Sequence, residues 1–189
     1  RNMGTVKSLL LGMCFVLGAC TSQTSTVQTT EKGTQWEWRN GTIVVKTPER
    51  PAGQKSVLGL TTPKLEAVRV GFVGLGMRGP GAVERFTYIP GTQVVALCDY
   101  EEARADKCQE LLKKASMPKA AVYSGDKGYE ELCKRDDIDL VYIAADWLHH
   151  FPVAKCALEN GKNVAIEVPS AMNLQECWDL INLSESTRK

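Results

Sequence analysis

From Lys64 onward the chain alternates between short apolar, β-branched runs and longer stretches in which apolar residues return with a helical period. The first run, Val68–Val73, is apolar almost throughout, as expected of a parallel strand buried on both faces. Similar runs occur at Gln93–Cys98, Ala121–Tyr123, Ile138–Ala145 and Asn163–Val168. Between them the pattern predicts helices: a short one ending before Pro90-Gly91, a charged amphipathic one from Glu101 to Ala115, and others around Tyr129–Cys133 and Phe151–Glu159. Asn160-Gly161 supplies a left-handed stop for the fourth, and a last helix is expected from about Asn173. Strand and helix in strict alternation argue for β-α-β units, hence an α/β fold with a doubly wound parallel sheet of the Rossmann kind, beginning near Lys64 and running to residue 189.

The segment before Lys64 has neither period. Lys7 precedes an apolar stretch, Leu9–Leu17, about half the ~20 residues a membrane span requires. It is expected to be the core of a signal peptide over residues 1–19. Leu17-Gly18-Ala19-Cys20 resembles a bacterial lipobox, in which the Cys20 thiol accepts a diacylglyceryl group, and Thr21 offers no acidic retention signal. The expected product is an exported lipoprotein anchored to the bacterial outer membrane by its lipid. Residues 20–63 would then be a flexible linker and lead-in, with Trp36–Lys46 as an extended arm and Pro48, Pro51, Gly53, Gly59 and Pro63 interrupting the remainder.

Composition narrows the partners. With 23 Lys and Arg against 22 Asp and Glu, no strong field points to nucleic acid, and none is expected as a partner. Seven cysteines are spread through the chain without C-x-x-C spacing and away from the two histidines, so no metal site is expected. Those beyond Cys20 read as small apolar core side chains, with a disulfide open as the alternative in an oxidising compartment.

The chemistry lies at the ends of the strands. Val73 leads into Gly74-x-Gly76-x-x-Gly79, where the first glycine permits a tight turn, the second a close approach of backbone to pyrophosphate, and the third close packing of helix on strand. Asp99, ending the second strand, is placed to accept hydrogen bonds from an adenosine ribose. Its neighbours Tyr100, Glu101 and Glu102 supply no cation for a 2′-phosphate, which favours NAD over NADP. After the fourth strand come Trp147, Leu148, His149 and His150, and after the fifth Glu167 and Val168, all expected on the nicotinamide side. Either histidine is able to position the nicotinamide ribose, act on a substrate proton, or merely cap and pack the next helix. Of the two, His150 is the candidate catalytic residue.

This combination of glycine loop, Asp99, the Trp147–His150 segment and Gly161–Pro169 resembles the Gfo/Idh/MocA group of nucleotide-dependent sugar enzymes. Most of that group have Glu-Lys-Pro after the fifth strand, the lysine assisting proton transfer; here the middle residue is Val168. Glu-Val-Pro is similar to one branch, the NAD-dependent α-N-acetylgalactosaminidases, as are Gly76-Met77-Arg78-Gly79, the lead-in from Arg50 to Thr61, and Trp147–His150 apart from His149 in place of a tryptophan. The resemblance implies cofactor contacts at Met77, Arg78, Asp99, Trp147, Leu148, His149, His150, Glu167 and Val168. It also implies a glycan substrate and a glycosidase reaction through transient oxidation at C3, elimination, hydration and re-reduction. That route needs no pair of carboxylates across the scissile bond. The resemblance further implies that the catalytic base, most sugar contacts and any homo-oligomer interface lie in a downstream substrate domain, so that residues 1–189 form an N-terminal fragment without turnover of its own.

Overall fold

The computed structural model describes residues 26–30 and 35–189. The expected signal peptide and Cys20 lie outside them, as does part of the linker.

Three short strands come first: β1 (Gln28–Thr29), β2 (Gln35–Arg39) and β3 (Thr42–Val45), paired antiparallel in that order. The expected extended arm is therefore a hairpin. Asn40 and Gly41 both have positive φ (50° and 76°), the conformation of a two-residue type I′ connection, for which Asn-Gly is the favoured sequence.

The main unit alternates β4 (Val68–Val73), α1 (Gly79–Phe86), β5 (Thr92–Asp99), α2 (Glu102–Lys114), β6 (Ala121–Ser124), α3 (Gly128–Cys133), β7 (Leu140–Ile143), α4 (Trp147–Glu159), β8 (Asn163–Ile166) and α5 (Leu174–Thr187). Its five strands are parallel, in the order β6-β5-β4-β7-β8. The chain starts in the centre, winds outward through β5 and β6, then returns to β7 and winds the other way. The sheet has two apolar layers. Val70, Phe72, Val94 and Leu97 pack against Ala82 and Val83 of α1 and Ala105, Cys108 and Leu112 of α2. On the opposite face Val73, Ala96, Cys98, Val141 and Ile143 meet Leu132 and Cys133 of α3 and Val153, Ala154 and Ala157 of α4. This is the doubly wound Rossmann arrangement, and β4 is apolar apart from Arg69 because it is covered on both faces and paired along both edges.

Two strands are shorter than their apolar runs. The ladder of β7 covers Leu140–Ile143 within the expected 138–145, and that of β8 stops at Ile166, before Glu167. The fourth helix starts at Trp147 rather than Phe151, because Asp146 caps it: Asp146 Oδ1 accepts from the Leu148 N–H at 3.0 Å. That start places Pro152 inside the helix, where the Leu148 carbonyl loses its usual donor. Gly161 takes the left-handed conformation (φ 72°) just past the end of α4. Among the described residues no helix is long and apolar enough to cross a membrane.

Cys98, Cys108 and Cys133 are buried in the two layers, Cys156 is half-buried and Cys177 exposed, all as free thiols. Burial, with Asp99 nearby, pushes the Cys98 thiol up to about 12 and the Cys108 thiol up to about 11, so both stay protonated and inert.

Candidate functional site

The strand order reverses between β4 and β7, and in open sheets ligands bind in the crevice outside the carboxyl ends at that point. The glycine loop enters it under tight constraint. Gly74 N–H donates to the Cys98 carbonyl (2.9 Å) and Ala144 N–H to the Val73 carbonyl (2.8 Å), so both neighbouring strands grip the start of the turn. Gly74 has φ +92°, and a Cβ there would lie 2.2 Å from the Ala145 nitrogen. A Cβ on Gly79 would lie 2.1 Å from the Gly74 carbonyl oxygen. Gly76 is different: a Cβ there would meet only the Arg104 Nη1, at 3.6 Å. The first and third glycines allow backbone to pack on backbone, and the second leaves room above the loop.

That room opens onto the N-terminus of α1. Its N-cap, Arg78, makes no side-chain cap, and Pro80 stands in the first turn where an N–H would be unpaired in any case. An uncapped helix start beside an open glycine is suited to phosphate oxygens. The residues present therefore fit a dinucleotide, with Gly74, Gly76, Met77, Arg78 and Gly79 to hold its pyrophosphate. Met77 is 92% exposed beside that opening.

Asp99 ends β5 but is only 5% exposed. Its Oδ2 accepts from the Leu75 N–H (2.6 Å), tying the glycine loop to β5, and its Oδ1 from the Glu101 N–H (3.0 Å). Arg104, in the first turn of α2, reaches Asp99 Oδ1 at 3.3 Å and Glu101 Oε1 at 3.1 Å. Tyr100, Glu101 and Glu102 supply no cation, as read from the sequence, but Arg104 brings one to the same corner. The cation comes from one helical turn later, a position that sequence neighbours of Asp99 do not reveal. Asp99, Glu101 and Glu102 still outnumber it, so the balance at this corner remains acidic.

Across the switch point, Trp147, Leu148 and His149 occupy the exposed first turn of α4. His149 Nδ1 lies 2.6 Å from Asp146 Oδ2. Burial alone would raise the Asp146 carboxyl, but hydrogen bonding and charge from His149, with the Leu148 and His149 N–H groups, bring it below its ordinary value.

His150 is placed differently from the other three. It is 1% exposed, with Nδ1 2.7 Å from the Pro169 carbonyl oxygen and Nε2 3.0 Å from that of Ala145. Both ring nitrogens lie within hydrogen-bond distance of backbone carbonyls, to one of which a neutral imidazole donates, so in this geometry the ring bridges the segments that follow β7 and β8 rather than meeting a substrate. The candidate catalytic role for His150 gives way to the packing alternative. Glu167 lies just past β8 and accepts from the Tyr142 hydroxyl at 2.7 Å. Val168 is 82% exposed ahead of the cis bond to Pro169. Met77, Trp147, Leu148 and Val168 together make the carboxyl edge unusually apolar for exposed surface.

Sequence reasoning missed Arg104 and Tyr142. Alternation along β7 was the available signal for Tyr142, since it puts that side chain on the same face as Phe72. Among the described residues no three His, Cys, Asp or Glu side chains are grouped to hold a metal. A groove along α2, lined by Asp106, Gln109, Lys113 and Met117, contains no residue of the crevice.

Comparison with known proteins agrees with this geometry. Residues 68–189 match the Gfo/Idh/MocA family, described as an oxidoreductase family with an NAD-binding Rossmann fold. Over 188 residues the chain is 79% identical to glycosyl hydrolase family 109 protein 4 of Phocaeicola vulgatus, covering 99% of this chain and 36% of that protein. With family 109 protein 1 of Bacteroides thetaiotaomicron it shares 57% over 185 residues, covering 97% and 38%. The chain thus spans somewhat over a third of the length of these curated relatives. Among solved structures, myo-inositol dehydrogenase from Lactobacillus casei, in complex with NAD(H) and myo-inositol, superposes with a TM-score of 0.56 at 25% identity, over 64% of this chain and 34% of that one. Biliverdin reductase from Synechocystis, with biliverdin and NADP+, superposes with a TM-score of 0.55 at 28% identity, over 65% and 36%.

Proposed function

Because the chain belongs to the Gfo/Idh/MocA oxidoreductase family, with its NAD-binding Rossmann fold, we propose that it is the cofactor domain of an NAD-dependent glycosidase acting on α-N-acetylgalactosamine-type glycans. The observation that carries this reading is Val168. An aliphatic side chain, 82% exposed, stands where most of the group use a lysine for proton transfer in net alcohol oxidation. The names of the family 109 relatives support it.

The chemistry that NAD supplies when bound is a reversible hydride transfer at a sugar carbon, which acidifies the adjacent C–H and permits loss of the aglycone. This chain's own residues do the holding. The loop from Gly74 to Gly79 and the start of α1 receive the pyrophosphate. Asp99, fixed by Leu75 and Glu101, faces the adenosine ribose. Trp147, Leu148 and His149 on α4, with Glu167 and Val168, border the nicotinamide half, and Met77 and Trp147 help to exclude water. Like Val168, none of these offers the family's lysine-type acid or base, and the catalytic base is assigned to the remaining length that the relatives possess.

The test is turnover of an aryl α-N-acetylgalactosaminide by the full-length protein in D2O. Release of the aglycone with deuterium at C2 and no accumulating NADH is the expected result. The family's description and the myo-inositol dehydrogenase likeness favour a second reading, a sugar oxidoreductase. Accumulation of NADH in step with oxidised sugar would establish it instead. Sugar binding with no deuterium incorporated would indicate a tethered binding protein.

We also propose export as an outer-membrane lipoprotein through Cys20, on the strength of Leu17-Gly18-Ala19-Cys20. Metabolic labelling with a fatty-acid analogue should mark the protein, and persistence of the label in Cys20→Ser would refute this.

A further inference from the structure

The aromatic side chains of Phe72, Phe86 and Tyr142 form a three-way cluster between β4, α1 and β7, with ring centroids 5.2 to 5.7 Å apart. Phe72 and Phe86 complete the apolar layer, whereas Tyr142 brings a hydroxyl into it. That hydroxyl is not idle: it donates to Glu167 Oε1 at 2.7 Å. An ionised carboxylate only accepts, so it is Tyr142 that donates in the bond to Glu167. Ring packing fixes where the hydroxyl sits, and the hydroxyl fixes one oxygen of the carboxylate.

Glu167 has little else to hold it. Its backbone N–H donates to the Ile143 carbonyl (2.9 Å), which positions the main chain just beyond the β8 ladder. Its side chain is partly exposed, and among the described residues Oε2 has no hydrogen-bond partner. We propose that Tyr142 is a positioning residue for the cofactor site: it holds Glu167 by one oxygen so that the other is presented to a hydroxyl or amide donor on the nicotinamide half of the dinucleotide. The groups that face Tyr142 agree with this polarity. Burial raises its hydroxyl above the ordinary tyrosine value, the Glu167 bond and charge raise it further, and Arg85 opposes them, so the proton stays on Tyr142.

The inference rests on the dinucleotide reading of the crevice, and its test separates the two. NAD+ dissociation constants are measured on the full-length protein, stripped of nucleotide, for wild type, Tyr142→Phe, Glu167→Ala and the double variant, with urea midpoints alongside. Tyr142→Phe keeps the ring in its cluster and removes only the hydroxyl. It should weaken NAD+ about three- to tenfold with little change in midpoint, and should add nothing in the Glu167→Ala background. Wild-type affinity in Tyr142→Phe, or independent and additive losses in the double variant, would overturn the positioning role while leaving the cofactor site standing. Failure of the wild-type protein to bind NAD+ would overturn both.

Discussion

The three glycines of the loop are not equivalent, and single substitutions separate them. In Gly74→Ala the new methyl would lie 2.2 Å from the Ala145 backbone nitrogen at φ +92°, and no rotamer change can relieve a Cβ. The expected cost is about 3 kcal/mol of folding stability. Gly76→Ala meets nothing closer than the flexible end of Arg104, so its unfolding midpoint should stay within about 0.5 kcal/mol of wild type. Its NAD+ affinity should nevertheless fall at least tenfold, because the methyl occupies the room left for pyrophosphate. Denaturant titration beside NAD+ titration distinguishes the two, and equal destabilisation would contradict these roles. The order of these glycines is legible in sequence as a short motif, although what forbids a side chain at Gly74 is the distant backbone of Ala145. His150 was not legible in that way, since the carbonyls that engage it belong to Ala145 and Pro169, in the segments that follow two different strands. Arg104 was hidden for a related reason: a helix turn brings it back over Asp99, past acidic neighbours that suggested an unopposed negative charge.

Among the elements, β4, β7 and β8 are joined at their amino ends by Asp139. Its carboxylate takes the Arg69 Nε (2.9 Å), Nη2 (2.7 Å) and backbone N–H (2.9 Å), and its carbonyl takes the Asn163 N–H (3.1 Å). The Arg69 hydrogen bond, partly opposed by burial, holds the Asp139 carboxyl below its ordinary value. A carboxyl depressed on folding stabilises the protein at pH values above its unfolded pKa of about 3.9, and that contribution is lost as pH falls through the lower folded value. Asp139→Asn should therefore cost about 1 kcal/mol at neutral pH, discounted for the half-exposed Arg69, and should flatten the decline in stability below about pH 4. Urea unfolding from pH 7 to pH 3 checks it; parallel curves for the two proteins would exclude Asp139 as a source of acid sensitivity. Element identity was readable here because apolar runs fix strands, whereas the start of α4 was decided by Asp146, one capping residue inside an otherwise continuous pattern.

At the scale of the whole molecule, the lead-in before β4 is strapped onto the last helix. Arg50 pairs with the buried Glu185, reaches Asn182 Oδ1 at 3.2 Å and lies 5.8 Å over the Trp178 ring, while Arg188 donates to the carbonyls of Lys55 and Ser56. Arg50→Ala leaves Glu185 buried without its cation. Residues 47–60 should then detach, seen as several-fold faster tryptic cleavage at Lys55 at an unchanged rate within the sheet; unchanged cleavage at Lys55 would show that Arg188 suffices.

The strand order has a consequence in time. Val70 pairs on one side with Val94 and on the other with Leu140, so β4 is translated long before its second neighbour exists. At a synthesis rate of ~5–20 residues per second, the wait between them is roughly 4–14 s. Throughout that interval a central strand that is apolar apart from Arg69 has an unsatisfied edge beside the ribosome, and a chaperone that recognises extended apolar segments has its best opportunity there, before Ile143 and Ala144 arrive to close the turn at Gly74.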